Sequence, residues 1–149
     1  MSEEIQKILN HQEMTLAPIK KRAIAFFIDE VILTILLIVA VGDSFFAAKS
    51  QEEMIKVIYS FILEYVAIKI FYQAFFVMKY GATIGKIVMK IRVIEIKTLQ
   101  NPNVIVSLNR AIMRIFSEAI YYLGFLWGIL DQNRQAWHDK SAKTLVINA

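Results

Sequence analysis

The run Ala23–Val41, AIAFFIDEVILTILLIVAV, is apolar enough to cross a bilayer, yet two adjacent carboxylates, Asp29 and Glu30, stand inside it. A hydrocarbon core of ~30 Å takes ~20 helical residues. Thirteen residues of the run are Ile, Leu, Val or Phe. At roughly −0.3 to −0.6 kcal/mol each they favour insertion by about 4–8 kcal/mol, and acids near the centre oppose it by up to ~2.5–3.5 kcal/mol apiece. The two contributions nearly cancel. Such a helix inserts weakly alone, and its acids need protein partners or protons. An ionisable group at this depth is by default a functional-site hypothesis.

The rest of the chain agrees with a membrane reading. Its 149 residues suit one domain. Hydrophobic residues make up 57%, and with a mean hydropathy of +0.50 they gather in long runs instead of at core spacing. The net charge of +4 sits beside those runs and not on a basic face interleaved with aromatics, which argues against a nucleic-acid partner. With no cysteine and two histidines, His11 and His138, neither a disulfide framework nor a Cys/His metal cluster is expected, and nothing implies a cofactor. The N-terminus is acidic and the first apolar run follows residue 22, so that run is read as a retained span and not a leader.

Residues 2–16 predict an amphipathic helix capped by Ser2, with Ile5, Ile8, Leu9 and Gln12 on one side and Pro18 closing it. The first span is expected over 23–41, a loop over 42–53 and a second span over 54–78 that carries Glu64, Lys69 and Gln73. The basic segment 79–109 holds a short interfacial helix at 83–90. Its β-branched runs at 91–96 and 104–106 predict a hairpin about Gln100–Asn103. The positive-inside rule puts the N-terminus and this long segment in the cytoplasm and the 42–53 loop outside. The third apolar segment, 108–130, contains Arg110, Arg114 and Glu118, and Arg114 and Glu118 are spaced to pair on one helix face. Gly124 and Gly128 loosen its second half. A broken, re-entrant or interface-lying helix there reconciles its length with a basic, cytoplasmic tail. The final 144–148 strand can pair with the hairpin.

Arg22 and Asp29, seven apart, share a helix face about two turns, or ~10 Å, from each other. In an antiparallel hairpin Lys69 falls at the depth of Asp29, with Gln73 one turn along as a hydrogen-bond donor and Glu64 farther out. Two readings stay open: a proton or cation site in the membrane, or a structural ion-pair network that locks two helices. Gly81-Ala-Thr-Ile-Gly85-Lys86 is one residue short of a phosphate loop and has Ile87 where Ser or Thr is required, so it reads as a turn that brings Lys86 near lipid phosphates. Trp137-His138-Asp139-Lys140 offers no nucleophile and too few ligands for a metal. It reads as an interfacial tryptophan with a capping or ion-pairing aspartate.

Taken together, Arg22 and Asp29 in a first span, GATIGKIVMKIRVIEI after the second and RQAWHDKSAKTLVI at the end resemble the RDD family of small bacterial membrane proteins. The resemblance covers about residues 18–148 and leaves 1–17 as a cytoplasmic amphipathic segment. It places the family's arginine and two aspartates at Arg22, Asp29 and Asp139. Its supporting positions are Gly81, Thr83, Gly85, Lys86 and His138, while Lys143 stands where many members have glycine. It implies an α-helical membrane protein: an antiparallel transmembrane hairpin, a third broken or re-entrant helix and a small cytoplasmic β element. It also implies residence in a bacterial inner membrane, with the N-terminus and the tail cytoplasmic. The family is not an established enzyme family, and a transport role, sodium/proton exchange included, has been suggested for it. At this size transport requires a homo-oligomer or a partner membrane protein. The alternative is a non-catalytic scaffold or accessory protein in which Arg22, Asp29 and Asp139 are fasteners.

Overall fold

The computed structural model describes residues 3–120 and 122–149. Helix α1, Glu3–His11, lays Ile5 and Leu9 against Ile94, Leu145 and Ile147. It is shorter than expected, and the Ser2 cap lies outside the described residues. Glu13 turns left-handed, φ 52°, and frees the next residues to straighten. They run along the sheet edge, where Leu16 bridges to Ile147 and Ala17 N–H donates to Val146 O at 2.9 Å.

Helix α2, Ile19–Ala47, has 29 residues, about 43 Å at 1.5 Å per residue. The 42–53 loop expected after a shorter span is therefore mostly helix, because Gly42 alone costs too little to stop so apolar a run. Residues 48–50 connect to α3, Gln51–Ser60, whose cap Ser50 accepts from Glu53 N–H at 3.2 Å. Helix α4, Ile62–Tyr80, follows after a break at Phe61. Ser60 Oγ donates to Val57 O at 2.7 Å, a back-bond that competes with the helix ladder at this point. So the second apolar stretch is two helices that meet at Phe61, not one continuous helix. Among the described residues one helix, Ile19–Ser44, is long and apolar enough to cross a membrane alone.

Gly81 ends α4 at φ 68°, where a side chain would be strained and would also meet Asn101 Oδ1. Thr83 then starts α5, Ile84–Val88, the short helix expected there. Strand β1, Ile91–Glu95, pairs antiparallel with β2, Thr144–Asn148, in the register Val93 to Val146. The expected pairing of the tail is present. The 91–106 hairpin is not, because Val104 opens helix α6, Val104–Ala119. Asn103 Oδ1 accepts from Val106 N–H at 3.0 Å, and this N-cap overrides the β preference of Val104, Ile105 and Val106.

The third apolar segment is broken, into α6 and α7, Leu123–Leu130, whose axes meet at 102°. Gly124 and Gly128 do not loosen α7. They admit close neighbours: a methyl on Gly124 would meet Ser117 and Trp137, and one on Gly128 would meet Ala136. Helix α8, Trp137–Ser141, leads into β2.

The helices are inverted relative to those of a water-soluble protein. On α6 the buried stripe is Ser107, Arg110, Ala111, Arg114 and Ser117, while Ile105 and Phe116 are 79% and 58% exposed. On α4 Lys69, Tyr72 and Gln73 are buried and Leu63 and Phe71 lie outside. Apolar outside and charged inside is the arrangement of helices whose outer surface meets lipid. The ordinary apolar cores lie at one end, around the sheet: Ala17, Ala25, Val77, Ile91, Val93 and Val146 on one side, the α1 contacts on the other.

Candidate functional site

The buried polar residues form three clusters. The first surrounds Asp29, which is 0% exposed. Tyr72 Oη donates to Asp29 Oδ1 at 2.7 Å, Gly85 N–H donates to the same oxygen at 2.8 Å, and Thr83 Oγ1 donates to Oδ2 at 2.7 Å. Ile84 N–H in turn donates to Tyr72 Oη at 3.1 Å and holds it in place. Three short bonds from two neighbouring segments thus fix this one carboxylate in place. The geometry depends on Gly85, because a Cβ there would lie 2.1 Å from Ala25 O. α5 can press onto α2 at that point only with glycine.

This differs from the expected site. Arg22 does not reach Asp29, and neither does Lys69. The Nε2 of buried Gln73 has no partner among the described residues. The reason is α5, which fills the space beside Asp29 with its own hydroxyl and amide. Lys86 turns inward, where Nζ donates to Thr83 Oγ1 at 3.3 Å. Burial brings its ammonium down to about 7; Asp29 pulls it back up, while Arg114 and Arg110 add to the lowering.

The second cluster is a closed ring. Lys69 Nζ lies 3.1 Å from Glu30 Oε2 and 2.5 Å from Glu118 Oε2, and Arg114 reaches Glu30 Oε1 at 3.0 Å and Glu118 Oε1 at 3.1 Å. Two cations and two anions balance, which is what makes such a group tolerable away from water. The Arg114 guanidinium also stands 4.8 Å over the Phe26 ring. Glu30, one residue round the helix from Asp29 and outside the family pattern, joins α2 to both α4 and α6.

The third cluster is centred on Asp139, 0% exposed, on α8. Arg22 donates to Oδ2 and to Arg134 O. Ala136 N–H donates to Oδ2 at 3.1 Å, a capping bond. Arg110 Nη1 stands 2.7 Å from Oδ1, an ion-pair contact without hydrogen-bond angles, and it also donates to Thr144 Oγ1. Burial alone would raise the Asp139 carboxyl; Arg22 and Arg110 outweigh it and hold the group far below the usual carboxylate range. Burial lowers His138 well below the ordinary imidazole range, so it is neutral. Its Nδ1 has no hydrogen-bond partner among the described residues, and its ring packs 5.2 Å from Phe125.

Arg110, Arg114 and Glu118 thus belong to the site as fully as the aspartates. Their signal was in the sequence, a polar stripe of helical period (107, 110, 114, 117, 118) inside an apolar segment. Tyr72 carried no such signal.

An amphipathic α-helical domain with an apolar exterior, a small sheet at one end and aspartates sealed by helix crossings is a membrane-associated domain by class. The sequence matches the RDD family over residues 16–143, most of the chain, and the protein belongs to that family. Neither the curated proteins nor the solved structures give a match.

Proposed function

We propose that this RDD protein is a non-catalytic membrane module, a scaffold or accessory subunit whose charged residues fasten its helices together. Asp29 carries the reading. It is wholly buried, both of its oxygens are engaged by donors, and it is absent from the linings of the clefts found among the described residues, as suits a carboxylate that fastens helices. The pairing of Arg22, at the start of α2, with Asp139, near the tail, supports an N-terminus and a C-terminus on one side, the basic and therefore cytoplasmic one. The bend between α6 and α7 supports a re-entrant path that returns the chain to that side. The bilayer is the first partner, and a homo-oligomer or a second membrane protein the next.

The second reading is coupled transport by an oligomer. It draws on the chain from Lys86 Nζ through Thr83 Oγ1 to Asp29 Oδ2, since Lys86 lines a cleft that Asp29 does not reach.

Proteoliposomes with Na⁺, K⁺ or H⁺ gradients separate the two. The module should pass none of these ions, and Asp29→Asn should lower its melting temperature in detergent. Wild-type flux that Asp29→Asn abolishes with melting unchanged would overturn the proposal.

A further inference from the structure

One cleft borders all three clusters. It lies between the first turns of α2, α7 and the 134–138 segment and has a volume of about 230 Å³. A single water needs only ~10–15 Å³, so there is room for a polar group of several heavy atoms.

The polar wall of the cleft is cationic. Arg22, Lys86, Arg114 and Arg134 line it beside neutral His138, and no carboxylate does. The carboxylates behind the wall balance Arg114, through Glu30 and Glu118, but not the rest. Arg22 and Arg110 share the one charge of Asp139. Lys86 reaches the Asp29 carboxylate only through the Thr83 hydroxyl. Arg134 is exposed, and its guanidinium makes no ion pair or hydrogen bond with any described residue. The cleft therefore presents surplus positive charge to whatever enters it.

Apolar side chains line the cleft as well. Phe26 and Phe125 stand over the Arg114 guanidinium at 4.8 and 5.8 Å, and Leu126 and Ile129 of α7 are 52% and 59% exposed at the rim. A free inorganic anion has no use for that rim. A zwitterionic lipid brings its own cation and leaves the wall unmatched. An anionic group with hydrocarbon attached satisfies both sides.

We propose that the cleft seats the headgroup of an anionic phospholipid, with its phosphate against Arg134, Lys86 and Arg22 and the first carbons of its chains along Leu126 and Ile129. The site goes beyond the fastening role and is compatible with either reading above, because these cations line the cleft as well as meeting their partners in the clusters. It would make anionic lipid a bound component of the domain and not only its solvent.

The full chain, purified in a neutral detergent, tests this. Phosphatidylglycerol and phosphatidylcholine with the same acyl chains, and inorganic phosphate, are titrated in turn and read by native mass spectrometry and by melting temperature. Phosphatidylglycerol should bind about tenfold or more tightly than phosphatidylcholine, and Arg134→Gln should weaken it about fivefold, the effect of one cation at a lipid surface. Leu126→Asn should weaken phosphatidylglycerol but leave the response to phosphate unchanged. Both residues are exposed, so the unliganded variants should melt like the wild type. Should Arg134→Gln prove unstable, Lys86→Met takes its place with the same expected loss. Equal binding of the two lipids, or phosphatidylglycerol binding untouched by Arg134→Gln and Lys86→Met, overturns the proposal. Phosphate that competes as well as the lipid would assign the cleft to a free anion and overturn it too.

Discussion

Arg22 and Asp139 stand 117 positions apart in the chain and close it into a ring through one ion pair. Because Asp139 has no exposure, removing either partner leaves a buried charge short of compensation. Arg22→Gln and Asp139→Asn should each cost about 3–5 kcal/mol. The double variant should cost less than the two singles added, since the residues share one interaction. Melting in detergent over the four members of the cycle checks this.

The same aspartate sets an acid limit. Its folded carboxyl titrates below its unfolded value of 3.8, so its contribution is present above about pH 4 and is lost as the pH falls further. Asp139→Asn should flatten the fall in melting temperature between pH 5 and pH 3.

Lys86 works in the opposite range. Folded it titrates near 7 and unfolded near 10.5. Below pH 7 both states hold the proton, and the cost of burying the ammonium is fully present. Between about 7 and 10.5 the unfolded chain holds more protons, so stability should rise with pH, by at most ~1.4 kcal/mol per unit. Lys86→Met in lipid-free detergent should remove that slope and melt above the wild type at pH 7. Melting curves from pH 6.5 to 9.5 give the answer.

Gly85→Ala should separate α5 from α2. The added carbon meets Ala25 O at 2.1 Å and Asp29 Oδ1 at 2.9 Å, so the helix must move and the Asp29 bonds loosen with it. A loss of about 1–3 kcal/mol is expected, with faster proteolysis of the 81–90 segment.

Lys143 takes φ 51° just before β2, a conformation that glycine adopts freely. The left-handed backbone costs a side-chain-bearing residue ~1–2 kcal/mol, of which glycine's entropy gives back part. Lys143→Gly should stabilise by about 0.5–1 kcal/mol, a rise of about 1–4 °C in melting temperature.

Asp29 stood out because a charge within apolar sequence is costly and needs a cause, with Arg22 seven residues before it on the same face, whereas Asp139 was singled out by the resemblance to the RDD family. Arg114 with Glu118 and the pairing of the tail with 91–95 were legible from spacing and alternation. Partner choice was not. Asp29 and Glu30 point about 100° apart round α2, and only the packing decides that α5 meets the first while Lys69 and Arg114 meet the second. Asn103 likewise turned a β-branched run into the start of a helix, because one capping bond outweighed local preference.

The weak insertion of α2 has a temporal side. Its charged residues find their partners in the order in which a ribosome delivers them: positions 69 to 85 for Asp29 and part of Glu30, 114 for the rest of Glu30, and 134 to 139 for Arg22. Until the last of these is made, the first helix holds a charge, that of Arg22, without its partner. A chain that ends before residue 139 therefore leaves Arg22 without the carboxylate that it meets in the folded domain.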